Sequence, residues 1–331
     1  MINKLRIFEA FSGYGSQSIA LRNIGIPYEV VAISEIDKYA IKAYESIHGK
    51  VNNLGDISKI NIEDIPEHDL FTYSFPCQDI SVAGLQKGIE RNKTRSGLLY
   101  ECEKIIEHCK PKYLLMENVK NLVGKKFKPQ FDKWLEYLSS LGYTNYWKIL
   151  NAKDYGIPQN RERVFVVSIL GEHKPYEFPK KLELTKKLKD ILEEEADNKH
   201  HLSDNTIKKI IVVDKNIKPS VKLNFEREKN EISKSDKEIY QCKCNSGWQD
   251  NKVGIKVAPT LRANNPHTCI YSDFRIKKLT PKECFRLMGM DDNDIQKIID
   301  SGISNTQQYK LAGNSIVINV LEYIFKNLFI S

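Results

Sequence analysis

Short apolar runs alternate with segments of helical periodicity through the first half of the chain. Apolar runs bounded by polar or turn residues predict strands, and apolar residues recurring every three or four positions predict helices. The predicted strands are Leu5–Phe11, Tyr28–Ile33, Leu70–Ser74, Tyr113–Met116, Tyr146–Asn151 and Val164–Leu170. The predicted helices are Gln17–Ile24, Lys38–His48, Gly97–His108 and Phe131–Leu141. This alternation predicts an α/β fold with a doubly wound, mostly parallel sheet.

The alternation stops near residue 171. From Ile210 to Tyr271, short strand-like runs are separated by Asn, Gly, Pro and Lys, which predicts a smaller, irregular, mainly β domain. A helix is predicted over Thr280–Met288, with Thr280 as its N-cap. The apolar, periodic segment Ser315–Ile330 is expected to pack back on the first domain. We therefore divide the chain into residues 1–175, residues 176–290 with the linking helix, and a returning segment, 291–331.

Charge and cysteine content exclude few classes of protein. The 331 residues carry 51 Lys and Arg against 43 Asp and Glu, a net charge of +8. That excess is compatible with a polyanionic partner, and equally with a Lys-rich proteome. The seven cysteines show no metal-ligand spacing, so no metal is expected. No apolar run approaches the ~20 residues that span a bilayer, and no signal peptide is recognisable, so we expect a cytoplasmic protein without membrane contact.

A glycine loop, Ser12-Gly13-Tyr14-Gly15-Ser16, joins the first strand to the first helix. Glycines there let a ligand approach the backbone closely, although many such loops are only turns. Glu35 ends the second strand, where an acidic side chain can accept hydrogen bonds from ribose hydroxyls. Asp56 is read as the end of a third strand, with a helix cap or a turn as the alternative. Together these positions predict a nucleoside cofactor at one edge of the sheet.

Cys77 follows a predicted strand and a proline, in Phe75-Pro76-Cys77-Gln78. A buried, inert thiol is the common fate of a single cysteine, but this position favours a nucleophile, whose reactive form is the thiolate. A polar stretch with several cations follows, and it suits a loop that closes on a phosphate backbone. A solvated surface loop is the alternative reading. The residues singled out in this stretch are Ser81, Gly84, Lys87, Gly88, Arg91, Lys93 and Arg95.

Glu117 follows the apolar strand Tyr113–Met116, and partial desolvation there would raise its pKa toward neutrality. Arg161 and Arg163 open another strand, and alternation directs both to one face. Two guanidinium groups on one face suggest recognition of an oxygen-rich substrate. A structural ion pair with Glu162 or Glu117 is the alternative.

The order of these motifs resembles the DNA (cytosine-5) methyltransferase family, of the bacterial or phage restriction-modification type. The resemblance covers residues 5–170 and 275–320. Individually the motifs are modest signals, whereas the ordered set is specific. The matching segments are Phe11-Ser12-Gly13-Tyr14-Gly15, Pro76-Cys77-Gln78, Glu117-Asn118-Val119, Gln159-x-Arg161-x-Arg163, the stretch 277–289 and Tyr309-Lys310-Leu311-Ala312-Gly313-Asn314-Ser315-Ile316-Val317.

The resemblance implies the fold of S-adenosylmethionine-dependent methyltransferases, with S-adenosylmethionine as cofactor. Phe11 and Ile36 would flank the adenine, Glu35 would hold the ribose, and Asp56 the adenine amine. The cofactor residues it implies are Phe11, Gly13, Tyr14, Gly15, Ser16, Glu35, Ile36, Asp56, Ile57, Pro76, Leu98, Asn314 and Ser315. The sequence departs from the family pattern at Glu9, where Asp is usual, at Tyr73-Ser74, where two glycines are usual, at Ser16 and at Lys277.

The resemblance also implies that Cys77, Glu117, Arg161 and Arg163 methylate carbon 5 of a cytosine rotated out of double-stranded DNA. Residues 241–280 hold seven Lys or Arg against two Asp, with Trp248 and Tyr271 among them, which suits a target-recognition region. The expected DNA contacts are Gln78, Ser81, Arg95, Thr260 and Arg262.

One catalytic site and one recognition domain suffice for one duplex, so a monomer is expected, and a cognate restriction endonuclease would act separately. Three other readings stay open. They are a tRNA cytosine-5 methyltransferase of the same fold, a DNA-binding protein with a decayed site, and a nicotinamide-dependent dehydrogenase.

Overall fold

A six-stranded sheet forms the centre of the protein, in the spatial order β2-β1-β3-β4-β7-β5. The computed structural model describes residues 4–81, 88–89, 94–193, 239–241, 258–261, 268–272 and 275–330. Strands β2, β1, β3 and β4 are parallel neighbours, and β7 runs antiparallel between β4 and β5. The strands are β1 (Leu5–Ala10), β2 (Tyr28–Ser34), β3 (Leu70–Tyr73), β4 (Tyr113–Val119), β5 (Tyr143–Asn151) and β7 (Glu162–Leu170). The predicted α/β class and mostly parallel sheet are confirmed.

Helices cover both faces of this sheet. They are α1 (Ser16–Asn23), α2 (Lys38–His48), α3 (Leu99–Cys109), α4 (Lys128–Ser140), α5 (Pro281–Arg286), α6 (Asp292–Asp300), α7 (Asn305–Asn314) and α8 (Ile318–Phe329). Short 3-10 helices lie at Ile57–Lys59, Ile62–Asp64, Arg95–Leu98, Lys120–Val123, Ala152–Tyr155 and Leu188–Ile191. Within the ranges that the structure describes, no helix is long and apolar enough to cross a bilayer.

Alternation along the strands divides the core into two clusters. On β1, Ile7 belongs to a cluster with residues of α1, α2 and α5–α8, whereas Phe8 belongs to one with residues of α3 and α4. On β4, Leu115 joins the first cluster and Leu114 the second. Successive strand residues point to opposite faces, so both faces of the sheet are buried, as doubly wound folds require. The apolar helix α8 packs against α1 of the first half of the chain.

The reversed strand β7 follows from a short connection. Residues 152–161 join β5 to β7 and hold only a 3-10 turn and the two-residue strand β6 (Gln159–Asn160). A parallel neighbour needs a crossover of about a dozen residues or more, whereas an antiparallel return does not. Strand β6 pairs in parallel with β9 (Ala258–Pro259). Strands β8 (Ile239–Gln241), β10 (Thr268–Ser272) and β11 (Arg275–Lys278) form a small antiparallel sheet, and β11 lies beyond the range Ile210–Tyr271 in which short strands were predicted.

The predicted third strand ending at Asp56 is wrong. The segment before it makes a single bridge between Asn53 and Ile33, and the third strand of the sheet is β3. Asp56 instead caps the 3-10 helix that starts at Ile57, and its carboxylate accepts hydrogen bonds from the backbone and hydroxyl of Ser58 (3.0 and 2.7 Å). A side-chain acceptor at this position satisfies an N–H that the helix leaves free, which explains why Asp favours it.

Candidate active site

The predicted site residues gather at the carboxyl edge of the parallel strands. Phe11 follows β1, Glu35 follows β2 and Cys77 follows β3 by a few residues, while Glu117 lies near the end of β4. Strand β4 extends to Val119, so Glu117 belongs to the strand rather than following it. In open α/β sheets this edge is where ligands bind. The fold therefore brings residues that are distant in the sequence to one crevice.

The glycine loop has an unusual backbone. Phe11 has φ 55°, a left-handed conformation that is rare for a residue with a side chain. Gly13 has φ 57°, and a Cβ there would meet no atom within 4 Å, so this side of the loop faces open space. Gly15 has φ 81°, and a Cβ there would lie 2.5 Å from His48 Nε2. The loop is thus open on the side of Gly13 and packs closely against His48 on the side of Gly15.

Glu35 fixes the loop to the end of β2. Its Oε2 accepts a hydrogen bond from Gly13 N (3.0 Å), and its Oε1 accepts from Ile36 N and Asp37 N (2.8 and 2.9 Å). Because each carboxylate oxygen can accept two hydrogen bonds, Oε2 retains room for a ligand hydroxyl. Asn53, which the sequence reasoning missed, exchanges hydrogen bonds with the Glu35 backbone in both directions (3.1 Å each).

The remaining predicted cofactor residues differ in what they offer a ligand. The Ile36 side chain is 72% exposed, an unusual position for a large apolar group, and it suits a ligand ring. Tyr14, Ser16 and Ile57 are buried, Pro76, Leu98 and Ser315 are half-buried, and Asn314 is exposed. Asp56 is half-buried, and its Oδ1 already accepts the capping hydrogen bonds from Ser58. An open glycine, an exposed apolar side chain and a carboxylate at one strand edge fit an adenosine-type cofactor.

Cys77 lies in a turn that side-chain and backbone hydrogen bonds hold in place. Asn118 Nδ2 donates to the Phe75 carbonyl (3.0 Å), and Ser96 Oγ donates to the Pro76 carbonyl (2.7 Å). The Cys77 carbonyl itself accepts from Ser81 N (2.7 Å). Its side chain is half-buried. Asn118 stands in the Glu117 motif, so that motif also positions the cysteine.

Two expected DNA contacts lie together beside Cys77. Arg95 Nη1 donates to Gln78 Oε1 (2.6 Å), and both side chains are exposed. Behind them, the buried Asp79 carboxylate accepts from Ser96 N (3.2 Å), joining the two ends of the stretch. The sequence reasoning missed Asp79 and Ser96. Of the residues singled out between these ends, Gly84, Lys87, Arg91 and Lys93 lie outside the described residues.

Glu117 and Arg163 form an ion pair, with 3.1 Å between Oε1 and Nε. Both side chains are largely buried. Glu162, the other carboxylate considered for this arginine, pairs instead with Lys120 (2.9 Å). The ion-pair alternative is therefore realised at Glu117. The same contact also places a planar donor and a carboxylate side by side at the crevice.

Arg161 is buried and joins three distant segments. Its Nη1 donates to the Leu261 carbonyl (3.0 Å), and its Nη2 donates to the carbonyls of Gly313 and Ser315 (3.1 and 2.7 Å). Gln159, the first residue of the motif that contains both arginines, accepts from Leu261 N (3.2 Å) and donates to the Leu287 carbonyl (2.7 Å). These bonds hold residues 258–261 against the site.

The expected DNA contact Thr260 sits in this bound segment. Its hydroxyl donates to the Asn160 carbonyl (2.6 Å), and the side chain stays half-buried. Arg262 and Trp248 lie outside the described residues, as does most of the region 176–290.

The chain matches the family model described as C-5 cytosine-specific DNA methylase over residues 5–330. The chain belongs to this family. It is 41% identical to the type II methyltransferase M2.ScrFI of Lactococcus lactis subsp. cremoris, covering 98% of this chain and 99% of the relative. It is 32% identical to the orphan methyltransferase M.SPRI of Bacillus phage SPR, covering 99% and 98%. The Entamoeba histolytica methyltransferase EhMeth shares the fold, with TM-score 0.75 at 19% identity over 99% of this chain and 98% of that chain.

Burial sets the ionisation of the catalytic candidates in this cytosine-5 DNA methylase. Burial raises the pKa of Cys77, and the charge of Glu117 raises it further, whereas Arg163 and Arg161 lower it. Burial likewise raises the pKa of Glu117 against the opposing effect of the two arginines. Burial and the charge of Arg163 lower the pKa of Arg161 to about 9. The resting site therefore favours a protonated Cys77.

Proposed function

We propose that the protein transfers a methyl group from S-adenosylmethionine to carbon 5 of a flipped-out cytosine in duplex DNA, through a covalent bond to Cys77. The convergence of Cys77, Glu117 and Arg163 at the strand edge that carries Glu35 and Gly13 supports this proposal most strongly. Reading of the target sequence is assigned to residues 176–290, where the basic residues concentrate. The family membership supports cytosine in DNA as the substrate.

Carbon 5 of cytosine is a poor nucleophile, so the base has to be activated. In the proposed mechanism, the Cys77 sulfur adds to carbon 6, which makes carbon 5 enamine-like. Glu117 shares a proton with ring nitrogen 3 and accepts from the exocyclic amine, so negative charge does not build up on the ring. Arg163 donates to the ring carbonyl oxygen. After methylation a base takes the carbon 5 proton, and the electron pair of that C–H bond re-forms the double bond between carbons 5 and 6 and expels the Cys77 sulfur.

The cofactor site is assigned to the loop 11–16 together with Glu35 and Ile36. When bound, S-adenosylmethionine supplies an electrophilic methyl group on its sulfonium sulfur. Ile36 and Phe11 would pack against the adenine, and Glu35 Oε2 would accept from a ribose hydroxyl. Arg161 supports the site from behind, because it binds the carbonyls on both sides of Asn314.

The target atoms are hidden in a stacked duplex. The cytosine therefore has to rotate into the crevice, at an unstacking cost of a few kcal/mol. Gln78 and Arg95 lie exposed beside Cys77, where they can contact the strand that the base leaves. Thr260 would contact it from the bound segment 258–261.

Incubation of the protein with S-adenosylmethionine and plasmid DNA is expected to protect cytosines from chemical conversion at one short recurring sequence. Conversion sequencing reads every cytosine and so reports activity, substrate and specificity together. A control reaction without S-adenosylmethionine should show no protection. Protection of a tRNA but not of DNA would replace the substrate assignment, and cofactor binding without any methylation would indicate a decayed site.

DNA affinity is expected to fall by about a thousandfold between ~50 and ~200 mM salt if roughly six phosphates are neutralised. Displaced counterions cause this dependence, so its slope counts the contacts. Fluorescence anisotropy with a labelled duplex measures it, and S-adenosylmethionine affinity over the same range serves as the control. A flat response would mean that the basic region 241–280 does not face DNA.

A further inference from the structure

Four side chains behind the glycine loop take no part in the proposed chemistry; three of them, Glu9, Ser18 and Tyr44, are buried, and His48 is half-buried. Glu9 lies in β1 and is fully buried. Its Oε1 accepts from Ser18 N and Ser18 Oγ of α1 (3.1 and 2.9 Å), and its Oε2 accepts from the Tyr44 hydroxyl of α2 (2.8 Å). Three elements are thus tied together directly behind the loop 11–16.

His48 carries this network to the loop itself. Its Nε2 lies 3.1 Å from the Tyr14 carbonyl oxygen. A carbonyl only accepts, so Nε2 carries the hydrogen and donates it. Burial lowers the pKa of His48 to about 4, helped by Arg22 and Lys297 and opposed by the bond to the Tyr14 carbonyl and by Asp294, so the ring is a neutral donor near pH 7.

The two aromatic rings form the back wall of the loop. The ring centroids of Tyr44 and His48 are 4.5 Å apart, one helical turn from each other on α2. A Cβ at Gly15 would lie 2.5 Å from His48 Nε2 and 2.7 Å from Tyr44 Cε2. The loop therefore rests directly on these rings, whereas its opposite side at Gly13 is open.

We propose that His48 and Tyr44, anchored by Glu9, are positioning residues that hold the backbone of residues 13–16 in its cofactor-binding conformation. This inference rests on the proposed assignment of the loop to S-adenosylmethionine. A loop that is ordered before the ligand arrives does not have to be ordered by the ligand. His48 thus acts on the affinity for the cofactor and not on the reaction of the bound complex.

The variants H48L and H48Q separate this role from packing. Leucine keeps apolar bulk without a donor, whereas glutamine places an N–H at a reach similar to that of Nε2. Loss of one such hydrogen bond is expected to weaken S-adenosylmethionine binding about five- to tenfold in H48L. Binding to H48Q should stay within about twofold of wild type, because the donor is restored. Both variants should keep the wild-type kcat at saturating S-adenosylmethionine. The KM for S-adenosylmethionine should rise in H48L and stay near the wild-type value in H48Q.

His68 offers a matched control. It is buried, and its Nδ1 donates to a loop carbonyl, that of Pro66 (2.8 Å), but it packs against Phe8 and Phe71 on the other face of the sheet. H68L is expected to lower the unfolding temperature without changing cofactor affinity. Isothermal titration calorimetry without DNA measures the affinities, and thermal unfolding measures stability.

Several results would overturn the inference. One is equal cofactor affinity in H48L and wild type, and another is equal weakening in H48L, H48Q and H68L. If H48L does not fold, H48N replaces it, since its shorter polar side chain falls short of the Tyr14 carbonyl. Failure of the wild-type protein itself to bind S-adenosylmethionine would instead overturn the proposed function.

Discussion

Replacing Cys77 with serine is expected to lower methyl transfer by about ten-thousandfold or more, while cofactor and DNA affinity stay within about threefold. A serine hydroxyl occupies nearly the same volume, and it is a far weaker nucleophile than a thiolate. Binding should survive because the turn around residue 77 is held by Asn118 and Ser96, neither of which bonds the thiol. Single-turnover methylation of the recognised duplex measures the rate.

Cys109 provides the matched control for this substitution. It is a half-buried free thiol at the far end of α3, about 15 Å along that helix from Leu98. C109S should retain full activity. Retained turnover in C77S would exclude the covalent route.

A second measurement tests the same bond directly. A duplex with 5-fluorocytosine at the target carries no proton at carbon 5 that can leave, so the sulfur cannot be expelled after methylation. Wild type and C109S are expected to form a protein–DNA complex that survives denaturation, and C77S is expected to form none. A denaturation-resistant complex in C77S would place the covalent bond on another residue.

The strand edge could be predicted from the sequence because the signals there are local. An apolar run that ends in Gly, Glu or Pro-Cys marks both the strand and the functional position after it. Glu35 and Cys77 were found in this way, and the structure brings both to the crevice. Glu117 was found for the same reason, although its strand continues to Val119 because that segment pairs with β7.

The contacts that hold the site together could not be predicted, because the partners are distant in the sequence. Asn118 bonds a carbonyl 43 positions away, and Gln159 bonds one 128 positions away. Both residues stand in motifs of the family, but neither motif indicates which carbonyl its amide contacts. Asp56 shows the reverse error, since its local pattern suited a strand end and a cap equally, and only the pairing of β1 with β3 decides between them.

Arg161 was predicted to act on the substrate, but its contacts in the structure are with the protein backbone. The sequence places it beside Arg163, and two arginines on one strand face were read as a pair acting on the substrate. In the structure, Arg161 donates hydrogen bonds to three backbone carbonyls. Of the two arginines, Arg163 is the one that pairs with Glu117. Arg161 therefore holds the segments around the site together, and its charge also lowers the pKa of Cys77 and of Glu117.

Replacing Glu117 with glutamine is expected to slow methyl transfer by about a hundred- to ten-thousandfold, because an amide cannot share a proton with ring nitrogen 3. The same substitution is expected to make Cys77 more acidic. The Glu117 charge is one of the causes that raise the pKa of Cys77, so its removal leaves burial opposed by Arg163 and Arg161. R163Q removes a charge that lowers this pKa, so it should shift the pKa of Cys77 in the opposite direction.

The pH dependence of Cys77 alkylation by iodoacetamide, read on its own peptide by mass spectrometry, measures both shifts. The midpoint should move to lower pH in E117Q and to higher pH in R163Q, while that of Cys109 stays fixed in both. An unchanged midpoint in E117Q would mean that the two side chains titrate independently. A lower midpoint in E117Q together with a higher midpoint in R163Q would instead show that the ionisation of Cys77 is coupled to these two side chains. A proton taken up at Glu117 as the base arrives would then remove a charge that opposes the thiolate, so substrate binding itself would activate the nucleophile.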